Sequence, residues 1–168
     1  MGLETTHSEH QYKNSREMTG CFFDFESTGP YPEMARITQA CAILGRVDSE
    51  GKTHVIDVIN EIINPIEPIE PIITQITGIT QSMVDSAIGF GDFYKDGQVF
   101  AETLIEFFER ADFICAYNGI GYDIPLLKAE MKRAGYEKFE INIPIIDPLI
   151  FRRRYKKKMS KNKLIDAA

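Results

Sequence analysis

Residues 20–29 read Gly-Cys-Phe-Phe-Asp-Phe-Glu-Ser-Thr-Gly, and the alternation of apolar and acidic residues in this stretch decides the fold. Side chains of an extended strand point to opposite faces in turn. Over Cys21 to Glu26, Phe22, Asp24 and Glu26 therefore share one face, and Phe23 and Phe25 share the other. So many apolar residues in so short a run predict a strand inside a sheet. Gly29, Pro30 and Pro32 end it, because proline cannot donate to a ladder. Residues two apart on a strand have Cα atoms roughly 7 Å apart. Carboxylates at that spacing can converge on a hard cation that prefers oxygen ligands, such as Mg²⁺. The same spacing also suits two acids that simply face solvent.

Working outward, Arg36 to Gly45 predicts a second strand and His54 to Ile63 a third, joined through the turn at residues 48–51. Three strands with short links read as an antiparallel meander. Residues 65–72, Pro-Ile-Glu-Pro-Ile-Glu-Pro-Ile, predict an extended, polyproline-like connector. Thr80 to Ala87 reads as a short helix. Gln98 to Asp112 predicts a longer one, with Phe100, Leu104, Phe107, Phe108 and Ala111 recurring at helical spacing. Phe113 to Tyr117 reads as a fourth strand. Ile124 to Ala134 follows as a helix, with Pro125 in its first turn and Gly135 as its stop. Ile143 to Ile146 is a fifth strand. Leu149 to Lys158 is a basic helix, and Asn162 begins another. The class is α/β: a mixed five-stranded sheet, three antiparallel strands and then two parallel ones, flanked by helices.

At 168 residues, 43% hydrophobic and 26% charged, the chain fits one globular domain. Residues 1–19 are polar and without period, so a disordered arm is expected there and a domain over 20–168. No apolar run reaches the roughly 20 residues of a membrane helix, and the N-terminus carries no apolar signal segment. Cys21, Cys41 and Cys115 each lie in an apolar run, as expected of reduced thiols in a cytoplasmic protein. No paired Cys/His spacing suggests zinc. The net charge of −6 is unevenly spread: residues 152–163 hold eight Lys or Arg and no acid, which leaves −14 on the rest. This segment reads either as a phosphate-contacting patch or as a solvated helix face.

The other informative stretch is Tyr117-Asn118-Gly119-Ile120-Gly121-Tyr122-Asp123, between a strand and a helix. Asp123 stands at or near the helix N-cap. Asn118 suits a turn, and the two glycines suggest close approach of something to the backbone. The pair also imitates a dinucleotide-binding G-x-G-x-x-G, but Ile124 stands where the third glycine belongs. A doubly wound nucleotide-binding protein is therefore disfavoured.

Taken together these segments resemble the DEDD 3′–5′ exonucleases of the His-containing type. Asp24-Phe25-Glu26-Ser27-Thr28-Gly29 is similar to their D-x-E-[ST]-T-G first motif, and Asn118 to Asp123 to their N-x(2,3)-[FY]-D second motif. Ile76-Thr77-Gly78-Ile79-Thr80 resembles the I-H-G-I-T stretch, with Thr77 in place of the usual histidine. Ile146-Asp147-Pro148 resembles the I-D-T segment. The resemblance runs from about Gly20 to the last residue, and lies nearest to the proofreading subunit of bacterial replicative polymerase. It implies a ribonuclease H-like fold and hydrolysis of single-stranded or frayed DNA or RNA from the 3′ end. Two Mg²⁺ or Mn²⁺ ions would be held by Asp24, Glu26 and Asp123. Thr28 and Gly29 would receive the terminal nucleotide, Ile79 and Tyr122 would pack on its bases, and Asn118 would hold the neighbouring backbone.

The third motif of that family, a histidine followed four or five residues later by a final aspartate, has no counterpart here. Asn162 to Ala168 resembles the helix that precedes it. Truncation before that motif is expected to leave this chain weak or inactive. It should also leave the fold one packing helix short, exposing an apolar sheet face open to a polymerase or to self-association. A non-catalytic nucleic-acid-binding or protein-binding module on the same scaffold is the alternative.

Overall fold

The computed structural model describes residues 17–165, with side chains up to Lys156. The expected arm over 1–19 lies largely outside the described residues. Met18 and Thr19 already belong to the first strand.

Strands β1 (Met18–Ser27), β2 (Ile37–Val47) and β3 (Thr53–Asn64) form the antiparallel meander. Helices α1 (Pro71–Thr77) and α2 (Gln81–Asp85) lead to a two-residue strand, β4 (Ile88–Gly89). Then come α3 (Phe100–Glu109), β5 (Phe113–Cys115), α4 (Asp123–Arg133), β6 (Ile145–Ile146) and α5 (Pro148–Ile165). The sheet runs β4-β3-β2-β1-β5-β6, with β1–β5, β5–β6 and β3–β4 parallel. Six strands form rather than five; two residues of β4 are too few to leave a periodic signature. Among the described residues no helix is long and apolar enough to cross a membrane.

Two further readings need correcting. The extended proline path stops at Glu70, because Pro71 opens α1. Proline suits the first helical turn, where its missing N–H costs nothing and its φ is already right. Gly78, at φ 78°, ends that helix and donates its N–H to the Thr74 carbonyl at 2.8 Å. At the other end of the chain, Asn162 does not start a new helix. The backbone from Pro148 to Ile165 is one continuous α5.

One sheet face carries the core. Cys21, Phe23 and Phe25 of β1 pack with Leu104, Phe107 and Phe108 of α3 and with Leu126, Leu127 and Met131 of α4. Ala42 and Ala40 stand opposite Phe23 and Phe25 in the ladder, small residues across from large rings. The rings reach α3 directly, with the Phe23 and Phe108 centroids 5.2 Å apart. Each such ring contributes about 2–3 kcal/mol through burial. On the opposite face Phe22 is 43% exposed, and Ile43 and Val58 are also open to solvent. This is the face that also bears Asp24.

Helix α4 is bolted down along its length. At its C-terminal end the buried Glu130 accepts from Arg36 Nε at 2.7 Å and from the Ile37 amide at 3.1 Å. Arg133 donates to the Ala35 and Glu33 carbonyls at 2.9 and 2.6 Å. Its N-terminal end is fixed by Asp123. The β1–β2 ladder slips by one residue between Glu26 and Ser27, which pair with Gln39 and Ile37. Thr38 is the extra residue of this bulge. It is fully buried, and its hydroxyl finds no partner among the described residues.

Candidate active site

The alternation in β1 places Asp24 and Glu26 on the open face of the sheet, at the end where the bulge bends the strand. Ninety-eight positions away from Phe25, Asp123 enters as the first residue of α4 and accepts the Phe25 amide proton at 3.1 Å. The helix cap proper is Tyr122, so Asp123 does not serve as the N-cap; its carboxylate is spent on β1. The positive end of α4 favours its charge, while burial opposes it, Asp123 being only 3% exposed. Burial wins: the carboxyl is pushed up to about 6, aided by repulsion from Asp24 and Asp147 and opposed by the Phe25 amide. Desolvation also raises Asp24. Glu26 is raised by desolvation and by the charge of Asp24. Asp24 is thus coupled to both Glu26 and Asp123 around the β1 end.

Neither the Asp24 nor the Glu26 carboxylate has a hydrogen bond or ion pair among the described residues. Oxygen donors that repel one another and lack a basic partner fit a hard divalent cation, which would relieve that repulsion. The arrangement is open: among the described residues, no three acids, histidines or cysteines are already gathered as a metal cage.

The neighbouring residues are placed unevenly. Thr28 Oγ1 donates to Glu67 at 2.7 Å and accepts the Arg36 amide at 2.9 Å, so its hydroxyl is engaged. Gly29 faces open space where a Cβ would meet nothing within 4 Å. The Tyr122 hydroxyl bonds to Ser27 Oγ and to the Gly29 carbonyl, tying the second motif to the first. Asn118 is half-buried in the left-handed region at φ 61°, and its side-chain amide has no partner among the described residues. Ile79 stands apart from these. It is 2% exposed and packed with Ile69 and Val84 in a satellite cluster, with no surface free for a base.

The glycines of the loop serve the loop itself. A Cβ on Gly119 would lie 2.5 Å from Ala116 Cβ, and one on Gly121 would lie 2.9 Å from Asn118 Oδ1. The close approach read from the sequence is thus the turn folding on itself. The buried Asp147 organises this turn by accepting from the Asn118, Ile120 and Leu149 amides at 3.0, 3.3 and 2.9 Å. Its role was not predicted. The available signal was an acid between a strand and a helix-opening proline. His54, the one histidine among the described residues, is bonded to Asp48 at 2.7 Å in the β2–β3 turn.

The exonuclease (RNase T) family model matches residues 21–168, and the chain belongs to that family. Its fold is ribonuclease H-like. Product-bound exonuclease I is similar, with a TM-score of 0.66 and 23% identity over 82% of this chain and 31% of that one. E. coli exonuclease I in complex with a dT13 oligonucleotide gives 0.64 and 23% over 82% and 30%. An ExoI/SSB-Ct complex gives 0.65 and 22% over 83% and 30%. The chain thus spans a little under a third of the length of these structures. No curated protein matches the sequence significantly.

Proposed function

We propose that the chain is a metal-dependent exonuclease domain that removes nucleotides from the 3′ end of single-stranded or frayed DNA or RNA. The observation that carries this reading is the Phe25–Asp123 hydrogen bond. It brings a carboxylate from α4 beside two on β1, in an exonuclease-family chain. Mg²⁺ or Mn²⁺, when bound, would activate a water and stabilise the leaving 3′-oxygen. Asp24 and Glu26 would hold the ions, Glu26 also facing the terminal nucleotide, and Asp123 would hold or orient an ion. The open backbone at Gly29 receives that nucleotide, and Asn118 offers its unpartnered amide to the adjacent backbone. Tyr122, its hydroxyl already engaged, presents ring rather than hydroxyl to a base.

Among the described residues no histidine lies near the three carboxylates, so the described part of the site supplies no general base and slow hydrolysis by this chain is expected. Resemblance to proofreading subunits extends the proposal to work beside a polymerase. A purely binding role on this scaffold is favoured by the same missing base. A 5′-labelled oligonucleotide incubated with Mn²⁺ or Mg²⁺ tests the reading, with calorimetric titration of the ion in parallel. Ion binding and a ladder shortening from the 3′ end, both lost in Asp24→Ala, are expected. Ion binding that survives Asp24→Ala would refute the site. Ion binding without shortening would select the binding role.

A further inference from the structure

Helix α5 turns strongly basic after its first turn. Arg152, Arg153, Arg154 and Lys156 are all exposed, the basic run continues in sequence to Lys163, and the helix contains no acid. Like charges three and four apart oppose an isolated helix, so the run is not there for helix stability. Nor does it complement the rest of the chain. The protein outside residues 152–163 carries a surplus of acids, yet among the described residues the side chains of Arg153, Arg154 and Lys156 have neither an ion pair nor a hydrogen bond. Two aromatic residues, Phe151 and Tyr155, are interleaved with the cations and exposed.

Of the described cations of α5 only Arg152 is engaged, and it points to the site. Arg152 Nη1 donates to the Tyr117 hydroxyl at 2.7 Å. Tyr117 is 51% exposed and opens the loop that ends at Asp123. Its side chain and Asp24 line the same open groove of about 450 Å³, with Phe22, Ile43 and Cys115. One arginine therefore joins a cationic helix to a ring beside the acidic end of β1. An acidic protein repels a polyanion, and this helix supplies the local positive potential that would draw one in. Exposed aromatic rings among cations suit single-stranded polynucleotide, whose bases stack while its phosphates are neutralised. A membrane-surface helix would instead need an apolar face opposite its cations. At 100° per residue Arg152, Arg153 and Arg154 span about 200° of the helical wheel, and in the remaining arc Lys158 stands in sequence beside Phe151 and Tyr155, which leaves no uninterrupted apolar face.

We propose that Tyr117 and the basic face of α5 form a track for the single strand that trails from the end held at the carboxylates. Tyr117 stacks a base, Arg152 holds the ring in place, and Arg153, Arg154 and Lys156 contact successive phosphates. The proposal rests on the exonuclease reading for its direction, and its test separates the two.

The 168-residue chain is titrated in EDTA against fluorescein-labelled oligo-dT and oligo-U of about 4 and about 12 nucleotides, lengths that bracket a single-strand site. The Arg153→Gln/Arg154→Gln/Lys156→Gln variant should lose on the order of tenfold in affinity for the longer strands at low salt. The slope of log affinity against log salt should shrink by about 2, the release expected from three single-strand phosphate contacts. The short strands should bind it as they bind wild type. Tyr117→Ala should cost about tenfold on the longer strands through lost stacking. A preference between oligo-dT and oligo-U would name the sugar that the track accepts. Wild-type affinity and slope in the triple variant would overturn the track, as would binding of the wild-type chain to phosphatidylserine vesicles without oligonucleotide binding. If the longer strands bind as described and nothing is cut in Mn²⁺, the track stands and the exonuclease reading fails. If cutting proceeds and the triple variant binds both lengths like wild type, the reverse holds.

Discussion

Asp123→Asn tests whether the site is assembled at the expense of the fold. The Asp123 carboxyl is held near 6 by burial and by the neighbouring carboxylates, against about 3.9 in an unfolded chain. Between those values the native protein keeps a proton that the unfolded chain has released. The stability this contributes is complete below pH 4 and is lost as the pH rises through 6. The difference corresponds to about 3 kcal/mol as an upper bound. Solvent at the open end of β1 brings it to on the order of 1–2 kcal/mol. Asparagine keeps the oxygen that accepts the Phe25 amide and cannot carry the charge. In EDTA at pH 8 the variant should therefore melt about 3–8 °C above wild type, by the usual conversion for a domain of this size. At pH 4 the two should coincide. Millimolar Mg²⁺ or Mn²⁺ should raise the wild type alone, by linkage of the ion to the folded state. Thermal melts at both pH values, with and without the ion, make the measurement. A variant less stable than wild type at pH 8 in EDTA would show that the charge is stabilised rather than strained there, and the reasoning would fail.

Four other outcomes follow from the contacts. Glu130→Ala leaves Arg36 and the Ile37 amide without their buried partner and should cost about 3–5 kcal/mol in urea unfolding. Gly119→Ala forces a methyl against Ala116 and should cost about 1–3 kcal/mol. Gly29→Ala, which meets nothing, should leave the melting temperature unchanged while raising KM for an oligonucleotide. Asp147→Ala strands three loop amides and should cost about 2–4 kcal/mol, weakening ion binding at a site that Asp147 does not touch.

The meander, the long helices and the acidic face of β1 were legible because each leaves a period: two for strands, about 3.6 for α3 and α4. The pairing of Asp24 and Glu26 needed only the pleat. What stayed hidden was set by tertiary geometry. Two residues of β4 carry no pattern, and Pro71 reads equally as an extended residue or a helix start until the chain turns. Asp123 has the sequence position of a cap, and only the approach of α4 to β1 turns its carboxylate to Phe25. Ile79 matched a motif, yet its burial depends on how α1 and α2 fold over β3. Asp147 is a single acid whose three amide partners lie in a loop 27–29 positions earlier and in the turn just after it.

The unmatched residue in β2 has a reach beyond its own orphaned hydroxyl. Were Thr38 deleted, Ile37 would slide into its place and every residue upstream to the preceding loop would swap sides of the sheet. Arg36 would then leave Glu130, and the Arg36 amide would leave the Thr28 hydroxyl. A lone surplus position thus works as a phase marker. It keeps the interior ion pair and the rim around Gly29 in step.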